Sequence, residues 1–207
     1  MTAPLLAEDK RDALQEIVNI GMGAAGAALA QVLGAFVELS VPRIDLVDRR
    51  RAATLFNTGS WSDNEIEIVR QPFFGGISGE SLMLFDGAEP EHLADLVGYA
   101  STPSKEEQQE MLLDLANVVI GSCVNGIVEP LAEVVSFAPP SRLGGRPDAH
   151  AFVLEDVGHW QQALVINVEF KLEQRQFRCR VLVFLSETSL VRIDHAIVRF
   201  LDALAAS

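Results

Sequence analysis

The sequence is poor in the residues that build metal centres and covalent catalysts. Its two cysteines, Cys123 and Cys179, are too few for a disulfide framework or a cysteine-rich metal site. Both lie in apolar segments, so we expect them to be buried small hydrophobic residues. The four histidines are scattered without metal-ligand spacing, and the Ser-x-x-Lys and Gly-x-Ser-x-Gly motifs of covalent hydrolases are missing. The sequence therefore predicts no metal site, no cofactor of its own and no covalent nucleophile.

Positive charge is also scarce. The chain has 29 acidic and 16 basic residues in 207, a formal net charge of −13. Phosphate backbones and anionic membranes would repel such a surface, which argues against nucleic acid as a partner and favours a protein with a basic face. The first residues, MTAPLLAEDKRD, lack the pattern of a signal peptide. We also expect no apolar run long enough for membrane insertion, so the predicted location is the cytoplasm.

One frame of two acidic residues and an asparagine occurs twice. The two copies are Asp12-x-x-x-Glu16-x-x-Asn19 and Glu110-x-x-x-Asp114-x-x-Asn117. In each copy 22 residues separate the asparagine from a proline, Pro42 or Pro140. The chain has six asparagines, so two of them in the same long frame indicate an internal repeat.

Hydrophobic periodicity extends the repeat to the whole chain. The first half predicts a helix, four strands and a second helix: 8–33, 36–46, 51–56, 65–74, 80–85 and 89–99. The second half predicts the same order: 105–128, 133–137, 151–154, 162–172, 176–185 and 188–204. Short connections between strands imply antiparallel pairing, and therefore an α+β fold. The sequence thus predicts a single domain over 1–207 made of two repeats, about 8–100 and 105–205.

The acids and the amide of each frame should share one face of a helix. Positions i, i+4 and i+7 fall within about 60° of one another around a helix axis. A carboxylate and a carboxamide one turn apart can together bind a cation and position a water molecule. Neither group is a strong nucleophile, so the pair suits a partner that carries its own reactive group.

Two segments resemble a known family. DALQEIVNIGMGAAGAALAQVL and ANVVIGSCVNGIVEPL are similar to the signature helices of the CheC/CheX/FliY phosphatases, which act on the phosphorylated response regulator CheY. The resemblance implies a pseudo-two-fold duplication with two long helices packed on a mainly antiparallel sheet. Two motifs in about 200 residues favour CheC over CheX. The lack of a flagellar switch module argues against FliY, so CheC is the expected nearest member.

The resemblance also implies the site residues and their roles. Glu16 and Asn19 would form the first site, and Asp114 and Asn117 the second. In the family the acid bonds a lysine of the regulator, and the amide orients the water that attacks the aspartyl phosphate. The regulator supplies its own Mg²⁺. The second site has Asp114 where the family usually has glutamate, which favours the first site as the stronger one.

Three other interpretations stay open at this stage. Each acid–amide pair also suits a solvated helix face with no function. The chain also suits a non-catalytic adaptor that binds a response regulator or a CheD-like deamidase, a partner of CheC-like proteins. Finally, Gly21-x-Gly23-x-x-Gly26, with Asp45 beyond it, matches a dinucleotide fingerprint. No buried strand precedes these glycines, which favours the alternative that small residues let two helices cross closely.

Overall fold

The structure of the protein, a computed structural model, describes residues 8–55, 66–86, 104–144, 151–152, 162–172 and 177–205. Four helices of known bounds lie in these segments: α1 (Glu8–Leu33), α2 (Arg49–Thr54), α3 (Lys105–Val128) and α4 (Glu187–Ala205). The same segments contain eight strands: β1 (Val37–Leu39), β2 (Arg43–Asp48), β3 (Glu67–Gly75), β4 (Gly79–Asp86), β5 (Val135–Phe137), β6 (Ser141–Gly144), β7 (Gln162–Leu172) and β8 (Phe177–Leu185). The predicted α+β class is confirmed.

The strands form one sheet whose topology is symmetric. The order is β1-β7-β8-β4-β3-β5, with β2 also paired to β7 and β6 also paired to β3. All of these strand pairs are antiparallel. The order reads the same when β1 to β4 are exchanged with β5 to β8. Each half therefore places its first two strands against the third strand of the other half. The single domain over 1–207 stays a prediction.

The two long helices cover one face of the sheet and cross at a pair of glycines. Leu14 and Ile17 of α1 belong to the same buried cluster as Val119 of α3 and the sheet residue Phe73. A Cβ atom added to Gly21 would lie 2.8 Å from the backbone carbon of Gly126. Main chain thus meets main chain at the crossing, which only residues without a side chain allow.

The start of α3 follows from a local signal. Ser104 accepts a hydrogen bond from the Glu107 backbone amide at 3.2 Å. Glu107 in turn accepts one from the Ser104 backbone amide at 2.7 Å. This reciprocal capping box satisfies two amides that the first helical turn leaves without partners. It explains why α3 begins at the residue that the sequence predicts.

The predicted strand over 36–46 is in fact two strands. β1 ends at Leu39 and β2 begins at Arg43. Between them the Ser40 hydroxyl accepts the Glu169 backbone amide at 2.9 Å, in place of a main-chain carbonyl. Pro42, which has no amide hydrogen, then precedes β2 directly. A side-chain acceptor and a proline therefore divide one apolar stretch into two short strands.

The predicted strand over 51–56 is wrong, and the one over 151–154 is wrong at the two of its residues that the structure describes. The segment 51–56 lies largely in helix α2, which begins where the Asp48 carboxylate accepts the Arg51 backbone amide at 2.8 Å. Ala151 and Phe152, predicted to start a strand, are helical. Local capping outweighs the apolar pattern in the first of these segments. The predicted helix over 89–99 lies outside the described residues.

We expected no apolar segment long enough to span a bilayer, and this expectation is wrong when length and composition alone are considered. Stretches of 24 residues in each long helix, Lys10–Leu33 and Lys105–Val128, are long and apolar enough. Their alanines, valines, leucines and isoleucines raise the mean hydropathy. Both helices, however, bury their apolar residues against the sheet and against each other, as core helices of globular proteins do.

Both cysteine thiols are buried, as predicted, and their burial has a measurable consequence. Desolvation raises the pKa of Cys123 and of Cys179 well above the ordinary thiol value. Because the thiolate is the reactive form, we expect neither to react with an alkylating reagent at pH 8 while the protein is folded. Both should react within minutes in denaturant, as mass spectrometry would show. Labelling of the native protein would contradict this prediction.

Candidate functional site

The acids and asparagines of both frames are exposed on the helix faces that point away from the core. Asp12, Glu16 and Asn19 are exposed on α1, and so are Glu110, Asp114 and Asn117 on α3. The apolar residues between them, such as Leu14 and Leu115, are buried. The structure therefore presents each frame as a polar stripe, as the helical spacing predicts.

In the first site a glutamine holds the asparagine and the start of a strand together. The Gln15 side-chain amide donates to Asn19 Oδ1 at 3.1 Å. It also donates to the Pro42 carbonyl at 3.1 Å. Pro42 directly precedes β2, so the proline of the frame contributes its carbonyl to the environment of the asparagine.

The second site has the same arrangement with a glutamine from elsewhere in the fold. The Gln71 side-chain amide of β3 donates to Asn117 Oδ1 at 2.6 Å. It also donates to the Ala138 carbonyl at 3.1 Å. Ala138 lies between β5 and β6, two residues before Pro140. In both sites, therefore, one glutamine amide bridges the asparagine to the segment that leads into the second strand of the repeat.

These contacts fix the orientation of each asparagine side chain. A backbone carbonyl can only accept, so the glutamine atom that faces both partners must be its NH₂ group. Each asparagine must then turn Oδ1 towards that donor. Its Nδ2 group makes no hydrogen bond with any described residue. Two N–H donors and one lone pair of Oδ1 remain on each asparagine to contact a water molecule or a partner.

Among the described residues the neighbouring carboxylates have no partner either. Glu16 and Asp114 each lie one turn before the asparagine of their site and are exposed. Across the described segments neither forms a hydrogen bond or an ion pair through its side chain. Each site therefore offers a free carboxylate and a partly held carboxamide on one helix face. This pair can bind a partner's cationic side chain and orient a water molecule beside it.

Sequence reasoning missed Gln15 and Gln71. Gln15 could have been found, because it lies one turn before Asn19 and can reach it along the helix. Gln71 gives a weaker signal, because it lies 46 residues from Asn117 in the chain. Only the packing of β3 beneath α3 brings these two residues together.

The competing motifs do not form sites in the structure. Gly21, Gly23 and Gly26 lie within α1, far from any strand-to-helix turn, so the geometry of a dinucleotide fingerprint is not present. Asp45 belongs to β2 and pairs with Val165 in the sheet. Within the ranges that the structure describes, no group of three or more potential metal ligands occurs. Of the four histidines only His195 is described, and it is exposed on α4.

A family model and a curated relative match this chain. The model of the CheC-like family matches residues 10–45, which include the first acid–amide pair. The flagellar motor switch phosphatase FliY of Bacillus subtilis is 24% identical over 140 residues. That alignment covers 65% of this chain and 35% of the relative. The aligned part thus spans about a third of the length of that protein.

Solved structures match over most of the chain. FliY of Thermotoga maritima superposes with a TM-score of 0.69 at 18% identity, covering 94% of this chain and 98% of that one. The CheX–CheY–BeF3–Mg complex of Borrelia burgdorferi matches with a TM-score of 0.54 at 16% identity, covering 84% and 99%. A FliG–FliM complex from H. pylori matches with a TM-score of 0.64 at 8% identity, covering 92% and 100%. At these identities the structures establish the fold alone.

Proposed function

The chain belongs to the CheC-like family, and from that premise we propose that it is a phosphatase acting on the aspartyl phosphate of a CheY-like response regulator. The similar proteins include a flagellar motor switch phosphatase, FliY, and a complex of CheX with CheY. The observation in this chain that carries the proposal is the pair of matching sites, each with a free carboxylate one turn from an asparagine held by glutamine.

In the proposed reaction the protein only positions the regulator and a water molecule. Glu16 or Asp114 pairs with a lysine of the regulator and fixes the docking of the helix face. Asn19 or Asn117 then lies beside the aspartyl phosphate, where its carboxamide orients a water molecule for in-line attack. The oxygen of water bonds to phosphorus and the bond to the aspartate oxygen breaks, which yields inorganic phosphate and a free carboxylate. Phosphoryl transfer depends mostly on such positioning and on charge stabilisation.

The regulator supplies the remaining components under this proposal. Its own aspartate carries the phosphoryl group and its own bound Mg²⁺ balances the charge, so the chain needs no cofactor. The excess of acidic residues suits a partner that presents lysine. A cytoplasmic location follows from the proposed partner. The preference for CheC within the family stays a prediction.

The decay of phosphorylated CheY tests the proposal. We expect the chain to shorten the lifetime of phosphorylated Borrelia burgdorferi CheY. Glu16→Ala with Asn19→Ala should remove part of the acceleration, Asp114→Ala with Asn117→Ala another part, and the four changes together all of it. The alternative is an adaptor for a response regulator or a CheD-like deamidase, which would bind CheY and leave its decay unchanged. Acceleration that survives all four changes would refute the assigned residues.

A further inference from the structure

Gln71 is a polar residue on the apolar face of the sheet. It lies on β3 between Val69 and Phe73, which belong to the core beneath the long helices. Its relative exposure is 1%. A buried carboxamide weakens folding unless hydrogen bonds satisfy it. The chain therefore keeps at this position a group that a hydrophobic residue could replace with less cost.

The hydrogen bonds of Gln71 lead to the second site. Its NH₂ group donates to Asn117 and to the Ala138 carbonyl, while its Oε1 has no hydrogen-bond partner among the described residues. Ser81 of β4 lies opposite Gln71 in the sheet and is fully buried. Its hydroxyl likewise lacks a hydrogen-bond partner in the described segments. Among the described residues, Asn117 is thus the one side chain to which Gln71 is hydrogen-bonded.

The other repeat shows that the fold does not need an amide here. Ser40 donates its backbone amide to the Glu169 carbonyl at 2.9 Å, and Ala138 donates to the Pro72 carbonyl at 3.0 Å. Ser40 and Ala138 stand at equivalent positions of the two repeats, two residues before the proline of each frame. Their acceptors, Glu169 of β7 and Pro72 of β3, are therefore equivalent too. The residue that matches Gln71 is therefore Val168, which is 1% exposed. A valine fills the equivalent position in the core of the same protein.

We propose that Gln71 is a positioning residue that holds Asn117 in one orientation and makes the second site the faster of the two. The inference rests on the proposed phosphatase function and adds a ranking of its sites. Gln71 is buried and anchored to the Ala138 carbonyl, so Asn117 loses little freedom when a regulator docks. Gln15 is half-buried and holds Asn19 from the same helix through an exposed hydrogen bond, for which solvent competes. The ranking is the reverse of the one that Asp114 suggests from sequence.

The test combines side-chain amide NMR with kinetics. Gln71→Val reproduces the residue of the matching repeat, and Ser81→Ala removes the neighbouring buried hydroxyl as a control. Without any regulator, we expect the Asn117 NH₂ order parameter to fall in Gln71→Val and to stay unchanged in Ser81→Ala. With phosphorylated Borrelia burgdorferi CheY, Gln71→Val should lower kcat about tenfold in an Asn19→Ala background, where only the second site works, and leave KM unchanged.

The first site supplies the internal control. In an Asn117→Ala background only that site works, and Gln71→Val should not alter its rate. A general weakening of the fold would instead lower the rate in both backgrounds. An Asn117 order parameter that does not change in Gln71→Val, or an unchanged kcat in the Asn19→Ala background, would overturn the proposal. If the order parameter falls while wild-type protein leaves CheY decay unaltered, Gln71 does hold Asn117 and the phosphatase action on this CheY is refuted.

Discussion

Gly126→Ala is expected to lower the free energy of unfolding by about 3 kcal/mol, the upper end of the usual cost of overpacking a core. The added Cβ would collide with the Cα atom of Gly21 on the facing helix. Neither side can yield by a rotamer change, because the colliding atoms belong to the backbones of two long helices. α1 and α3 would have to separate, and the core beneath them would lose contacts along both. Urea denaturation followed by circular dichroism would measure the loss.

Gly23→Ala is the matched control on the same helix. A Cβ at Gly23 would have no atom within 4 Å, and the residue is exposed. Because glycine inside a helix costs backbone entropy, this change should raise stability by roughly 0.5–1 kcal/mol. If Gly126→Ala lowers the free energy of unfolding and Gly23→Ala raises it, the glycine pattern of α1 has a structural role. Equal effects would mean that the two helices do not touch at Gly126.

Signals confined to one element predict much of this fold. The 3.6-residue period and the capping residues around Ser104 place α3 correctly. The alternating apolar residues of 162–172 place β7 correctly. The repeated frame identifies the exposed acids and asparagines, because helical spacing alone puts them on one face. In each of these cases the information lies within one or two turns of helix or within one strand.

The remaining features depend on contacts between distant segments. The first two strands of one half pair with a strand of the other half. β1 and β2, for example, pair with β7, more than 110 residues away in the chain. No local pattern encodes such a pairing. The same holds for the contact of Gln71 with Asn117. The strand prediction for the α2 segment failed for another reason. Its apolar residues also suit a strand, but Asp48 caps a helix there.

Asn19→Ala combined with Asn117→Ala should lower the maximal rate of CheY dephosphorylation by about 100-fold or more, the size of effect that follows the loss of one group aimed at a transition state. Each change removes the carboxamide that orients water in its site and leaves the carboxylate in place. Binding of the regulator should persist, since the proposed ion pair with its lysine does not involve the asparagines. Single-turnover decay at saturating protein would measure the rate, and titration would measure the affinity.

Glu16→Gln combined with Asp114→Asn is the complementary variant, because it keeps the size of both side chains and removes their charge. It should raise KM about tenfold through the loss of a charged hydrogen bond at each site, with a smaller change in the maximal rate. Such a division of effects would assign docking to the acids and catalysis to the amides. If both variants weaken binding alike and neither alters the decay of bound CheY, the acid and amide together form a docking surface. The protein would then be an adaptor that keeps the fold of a phosphatase and the acid–amide pairs on its two long helices.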